Sequence, residues 1–294
     1  MHALPFLLAA VCAVVLAPAL LRTLADGGHV KANYRGRALP FPYGVLVLAA
    51  ALVALIPLML LQVLASTELF YPGFWPVAVY ALGVLALGLV DDTLGEPRDT
   101  SHAAVAGSNP VSPIAARPRG WRGHGAALMR GELSTGALKA AGSLALALLA
   151  LSWLGLSDGR WLLAVAVLVL ATNLFNLLDL RPGRSTKAFV LLGLGLGIGS
   201  GDARQLWSFG LFAGPALVAG LYDLRERAML GDTGANLLGA LAGLWLVLTL
   251  SEVGQIIALV LLVAITIYGE VRSISGFVER TPGLRQLDSF GRPA

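Results

Sequence analysis

A chain of 294 residues that is 57% hydrophobic and only 13% charged, with a mean hydropathy of +0.78, is excluded from the ordinary soluble classes. It reads as an integral membrane protein. Its net charge of +4 needs no nucleic-acid partner, because the basic residues collect in the connections between apolar runs.

In chain order, apolar runs near the roughly 20 residues that cross a bilayer as a helix fall at about 3–21, 43–64, 74–90, 137–156, 160–178, 187–199, 205–222, 235–250 and 254–271. They are continuously apolar rather than alternating, which selects helices over barrel strands. The expected fold class is all-α: a single integral membrane domain over 1–294, a polytopic transmembrane helix bundle of about nine spans. The first run is followed, not preceded, by Arg22, Lys31, Arg35 and Arg37, so it reads as a retained helix rather than a signal peptide. Cys12 lies inside it and says nothing about disulfides or metal. Pro57 is expected to kink the second span, and the sixth, "KAFVLLGLGLGIG", is short and glycine-rich and the weakest as a full crossing.

Charge orients the bundle. All of the 21 Lys and Arg residues except Arg160 and Arg204 lie in or beside the connections at about 22–42, 91–136, 179–187, 223–234 and 272–294. Cytoplasmic loops carry such an excess, so the N-terminus is expected outside and the C-terminus in the cytoplasm.

The carboxylates gather on that same side. Asp91 and Asp92 open "VDDTLGEP", Asp179 lies in "TNLFNLLDLRPGRSTK", and Asp223 in "YDLRERAMLGDTGAN". All four stand at the C-terminal ends of inward-running helices, where the macrodipole disfavours negative charge. Capping does not account for them on this view, whereas a shared divalent cation does; a solvated loop acid is the plain alternative at any one position. Asp232, at the start of an outward-running helix in "GDTGAN", has an ordinary N-cap reading. Gly231 and Gly234 equally let backbone amides approach a phosphate there. Magnesium takes one or two protein carboxylates and fills its shell with water and substrate phosphate. The pattern therefore suggests phosphoryl transfer from a diphosphate at the membrane surface, with the Asp91 and Asp92 pair holding a metal or activating a phosphate nucleophile.

In this order the motifs resemble the polyprenyl-phosphate N-acetylhexosamine-1-phosphate transferase superfamily (glycosyltransferase family 4), which includes phospho-N-acetylmuramoyl-pentapeptide transferases. They are "NYRGRALPFPYG" (33–44), "DDTLG" (91–95), the weaker "RGHGAALMRGELSTGALKA" (122–140), "NLFNLLD" (173–179) and "GDTGAN" (231–236). The resemblance implies a Mg²⁺-dependent (or Mn²⁺-dependent) phosphoglycosyl transferase. Such an enzyme moves a sugar-1-phosphate from a UDP-sugar to polyprenyl phosphate, releases UMP and leaves a lipid-linked diphosphate sugar for cell-wall or related glycan synthesis. It implies a multi-pass protein of the plasma membrane with its active site on the cytoplasmic face, and leaves a homodimer open. Residue by residue, it implies catalytic roles for Asp91, Asp92 and Asp179. Metal binding falls to Asp232 and Asp92, and substrate binding to Asn33, Arg35, Asn173, Asn176, Arg181, Arg184, Gly231 and Gly234.

The chain departs from that pattern twice. After Asp179 the family continues Gly-x-Asp-Gly, whereas this chain reads "LRPGR", so the resemblance does not carry over this part of the nucleotide-binding segment. We expect Pro182 and Gly183 to turn the backbone so that Arg184, with Arg181, faces a donor diphosphate; a basic anchor for the sixth span is the alternative. The last inner stretch, "ISGFVERTPGLRQLDSFGRPA", has no histidine cluster, and Arg280 and Arg285 are its candidates for positive charge. His124 and the run Arg225, Glu226, Arg227 read mainly as solvated or interfacial charge, and Glu270 as a paired group near the inner end of the last span. Two other functions compete: a small-solute or ion transporter, disfavoured because the acids lie at helix ends rather than at the midplane, and a non-catalytic polyprenyl-phosphate-binding relative.

Overall fold

The computed structural model describes residues 1–94 and 135–293. The described chain is a helix bundle with one small hairpin. In order it forms α1 (Leu4–Asp26), β1 (Val30–Ala32), β2 (Ala38–Pro40), α2 (Val45–Leu64), α3 (Phe74–Leu94), α4 (Thr135–Ser152) and α5 (Asp158–Leu178). There follow α6 (Arg184–Ser200), α7 (Arg204–Ser208), α8 (Gly210–Leu224), α9 (Gly231–Thr249), α10 (Glu252–Val271), α11 (Ile274–Arg280) and α12 (Pro282–Ser289). Most of the motif at 122–140, with His124, lies outside the described residues.

Seven of the described helices are long and apolar enough to cross a membrane: α1 to α5, α9 and α10. The expected sixth and seventh spans are α6 and α8, of 17 and 15 residues, which run between the same two ends of the bundle as their longer neighbours. At one end Tyr43 N–H donates to the Met229 carbonyl and Asn33 reaches Glu226. At the other, Gln205 donates to the Leu248 carbonyl and Phe6 meets Trp207 edge to face. α2 remains one helix through Pro57.

The purely helical expectation missed the hairpin. β1 and β2 pair antiparallel, with Lys31 opposite Leu39. Its turn is closed by the Asn33 carboxamide oxygen, which accepts from the backbone amides of Arg35 and Arg37 at 2.9 and 3.0 Å. This is an Asx turn, built by a side chain that imitates backbone.

α9 is the axis of the bundle. Of its apolar stretch 89% is buried, against 22% for α1, α4 and α10, and it packs on α5, α3 and α6. Helices in lipid gain nothing from hiding apolar surface, so their contact rests on close packing of small residues. Gly44 of the α2 entry packs against the backbone of Gly234, and a Cβ on Gly88 of α3 would lie 2.5 Å from the Asp232 carbonyl oxygen. These two glycines bring α2 and α3 to the first turn of α9, where the acids meet.

Candidate active site at the helix ends

The C-terminus of α3 abuts the N-terminus of α9. Asp92 Oδ1 accepts from the Asp232 amide at 3.0 Å, and Oδ2 accepts from the Thr233 amide at 2.8 Å and the Thr233 hydroxyl at 2.6 Å. The residue in the N-cap position of α9 itself, Leu230, offers no side-chain acceptor. Asp92 therefore caps α9 from a neighbouring helix. Gly231, with φ of +70°, keeps the turn clear, since a Cβ there would sit 2.6 Å from Asp92 Oδ2. Asp223, at the end of α8, repeats the device by accepting from the Gly183 amide at 2.6 Å and the Leu230 amide at 3.4 Å.

For Asp92 and Asp223 these contacts correct the expectation that capping does not account for the C-terminal carboxylates; Asp91 and Asp179 are engaged by side chains instead. That argument weighed each acid against its own helix dipole. In an antiparallel bundle the C-terminus of one helix meets the N-terminus of the next, whose unpaired amides and positive dipole end take the charge. The ordinary N-cap reading of Asp232 is likewise replaced, because its carboxylate is engaged elsewhere.

Asp232 and Asp91 converge on Lys139 of α4. The ammonium bonds to Asp91 Oδ2 at 2.8 Å and to Asp232 Oδ2, and all three side chains are less than a third exposed. With its amide oriented by these neighbours, Asn176 of α5 donates to Asp232 Oδ1 at 2.9 Å and accepts from Lys139 at 3.1 Å. Three helices thus place oxygen ligands around an ammonium carried by a fourth. Lys139 was missed as a site residue in the sequence; its only signal there was a lone ammonium within the apolar run of α4, which is costly unless it is partnered. Thr233 was missed too, since nothing local marks its hydroxyl as a partner of α3.

Asp179 lies just beyond α5, and its carboxylate accepts from the Ser185 hydroxyl at 3.2 Å. Burial, then the charges of Asp223 and Asp232, push this carboxyl well above the ordinary carboxylate range. Asn173, one turn before Asn176, has its amide nitrogen enclosed without a partner among the described residues, and so has Asn236, one turn beyond Asp232. Gly234 serves packing, against Gly44 and Leu230.

The remaining predicted residues are placed elsewhere. Asn33 donates to Glu226 Oε2 at 3.1 Å, and Arg35 bonds to the Tyr34 hydroxyl at 2.7 Å and the Pro293 carbonyl at 3.1 Å. Both tie the hairpin to the α8–α9 connection and the C-terminal stretch. Arg181 pairs with Glu279 at 2.8 Å and lies 4.4 Å over the Tyr34 ring. Arg184 is buried, with Nε and Nη2 on the two oxygens of Asp288 at 2.8 and 3.1 Å and Nη1 on the Ser275 hydroxyl at 3.0 Å. The structure therefore gathers Asp91, Asp92, Asn176 and Asp232 into one constellation, whose charges act on the nearby Asp179 carboxyl. It joins the arginines of "DLRPGR" to α11 and α12.

A divalent cation fits the donor set. Hard oxygens of Asp91, Asp232 and Asn176 already surround a positive charge, and magnesium asks for few protein carboxylates. Among the described residues no group of three or more His, Cys, Asp or Glu side chains stands ready to hold a metal, so the remaining ligands would be water and substrate. Asp92 is committed to backbone amides. Compared with known proteins, the chain matches no protein-family model and no curated protein.

Proposed function

We propose that the protein is a phosphoglycosyl transferase of the plasma membrane that moves an N-acetylhexosamine-1-phosphate from a UDP-sugar to polyprenyl phosphate. The observation that carries this reading is the convergence of Asp91, Asp232 and Asn176 on one cationic point at the bundle end, in the motif order of the resemblance. Nine crossings, an external N-terminus and a cytoplasmic C-terminus complete it, and put the site on the cytoplasmic face beside both the soluble donor and the lipid acceptor.

In the reaction an oxygen of the acceptor phosphate forms a bond to the sugar-bearing phosphorus of the donor, the bond to UMP breaks, and UMP leaves as the phosphate. Asp91, Asp232 and Asn176 would hold Mg²⁺ or Mn²⁺, which when bound would neutralise the diphosphate charge. Lys139, whose ammonium sits between these groups in the free protein, would give up that place to the cation and turn its point charge to the transferred phosphate. Asp91, the member of the adjacent pair not committed to backbone amides, orients the attacking lipid phosphate.

UMP release from a panel of UDP-sugars, with polyprenyl phosphate and Mg²⁺, tests the reading. Asp232→Asn is expected to lower turnover at least about a hundredfold with the bundle still folded, since it removes one hard ligand and its charge. Near-normal turnover in that variant would sink the metal assignment. A second reading, a non-catalytic lipid-phosphate-binding relative, is favoured by the engagement of Arg181 and Arg184 with Glu279 and Asp288. Its signature is polyprenyl phosphate binding without product from any donor.

A further inference from the structure

We infer that the adjacent acids divide their work, with Asp92 acting as a positioning residue that sets the first turn of α9, and through it Asp232, while Asp91 alone of the pair meets the ligand. The inference deepens the transferase reading and rests on it for the ligand. The geometry is independent of it.

Asp92 gives both carboxylate oxygens to α9: one to the Asp232 amide, the other to the amide and hydroxyl of Thr233. The three bonds span 2.6 to 3.0 Å and include the amide of the very residue whose side chain reaches Lys139 and Asn176. A carboxylate so used has little left for a metal ion. It does fix where Asp232 points, because the α9 axis and the Asp232 backbone are held from α3. Close packing locks the arrangement: Gly88, one turn before Asp92, lies on the Asp232 and Thr233 backbone, and Gly44 on that of Thr233 and Gly234. Asp91, next in the chain but pointing to Lys139, shares no bond with α9 amides. Adjacent side chains on a helix diverge by about 100°, so one helix end serves two tasks.

The test compares Asp92→Asn, Asp91→Asn and Thr233→Val in the purified full chain. Hydrogen–deuterium exchange over residues 229–237 reads the cap directly. An Asn at 92 offers one acceptor where two are needed, so exchange there should quicken about fivefold to thirtyfold, the factor expected for a lost cap. Thr233→Val keeps both amides and removes only the hydroxyl donor; it should quicken exchange by a smaller factor, and Asp91→Asn less than Asp92→Asn. In turnover, Asp92→Asn should raise the Mg²⁺ concentration for half-maximal UMP release about tenfold to a hundredfold, as loss of an outer partner does, with kcat recovering at saturating Mg²⁺. A merely structural residue would reduce the active fraction at unchanged Mg²⁺ dependence, and a direct ligand would lose kcat at every concentration; either result overturns the assignment. Unchanged exchange in Asp92→Asn overturns it as well. Should that variant fail to fold, Thr233→Val decides: faster exchange supports the cap and unchanged exchange refutes it. If no donor yields UMP in the wild type, the transferase reading falls while the exchange measurement still judges the cap.

Discussion

Lys139 carries a full charge into a helix that is otherwise apolar, and its three partners come from three other helices. An ammonium in such a place is retained only if its desolvation is repaid by paired charge. Lys139→Met therefore removes, among the described residues, the positive group between Asp91 and Asp232 and leaves two facing carboxylates. Breaking a buried pair by deleting one partner costs about 3–5 kcal/mol; with these side chains still partly exposed we expect about 3 kcal/mol or less, seen as a lowered Tm in detergent. Mg²⁺ should restore more of the Tm in this variant than it adds to the wild type, because the cation then has no ammonium to compete with. Equal Mg²⁺ responses in the two proteins would argue against a metal between these acids.

At the scale of elements, the long apolar helices were legible because hydropathy alone requires them. What the sequence did not show is how helix ends meet. Asp92 and Thr233 are 141 residues apart, and no local pattern tells that an acid ending α3 will cap α9. The same holds for "DLRPGR", whose arginines look available until α11 and α12 fold over them. Asp288 holds that strap: its carboxylate accepts from Arg184 and from Arg292, Arg292 donates to the Pro182 carbonyl at 2.8 Å, and Lys187 donates to the Leu287 and Asp288 carbonyls. Burial pushes the Asp288 carboxyl up, but the hydrogen bonds and charges of Arg184 and Arg292 outweigh it and hold it at about 2. The folded value lies below the unfolded one of about 3.9, so the clamp's contribution is complete above about pH 4 and is lost as the pH falls toward 2. Pepsin cleavage near Phe277 and Phe290 should accordingly rise on acidification through that window. In Asp288→Asn the strap should be open to trypsin at Arg280 and Arg285 even at neutral pH. Equal neutral-pH cleavage of variant and wild type would show that the strap is held by something other than Asp288.

For the whole molecule, the short helices α6 and α8 decide the number of crossings. At 1.5 Å per residue α6 spans about 26 Å and α8 about 22 Å, short of the roughly 30 Å hydrocarbon core. A short span is tolerated by local thinning of the bilayer at a modest cost. The packing supports crossing: α6 starts beside Asp223 at the acid-rich end, and the residues after it reach Leu248 and Phe6 at the far end. The pair is invisible to any test of the termini, because omitting two adjacent crossings leaves the later helices in the same orientation. Position 203, exposed between α6 and α7, distinguishes the cases. On a Cys12→Ser background, an impermeant maleimide applied to intact cells should label Ala203→Cys and Glu68→Cys. It should label Phe290→Cys only after permeabilisation, the outcome that the proposed cytoplasmic placement of the basic connections requires. Labelling at 68 but not at 203 would make α6 and α8 a re-entrant pair; labelling at 290 from outside would reverse the orientation, and with it the proposed access of a cytoplasmic donor to Asp91, Asn176 and Asp232.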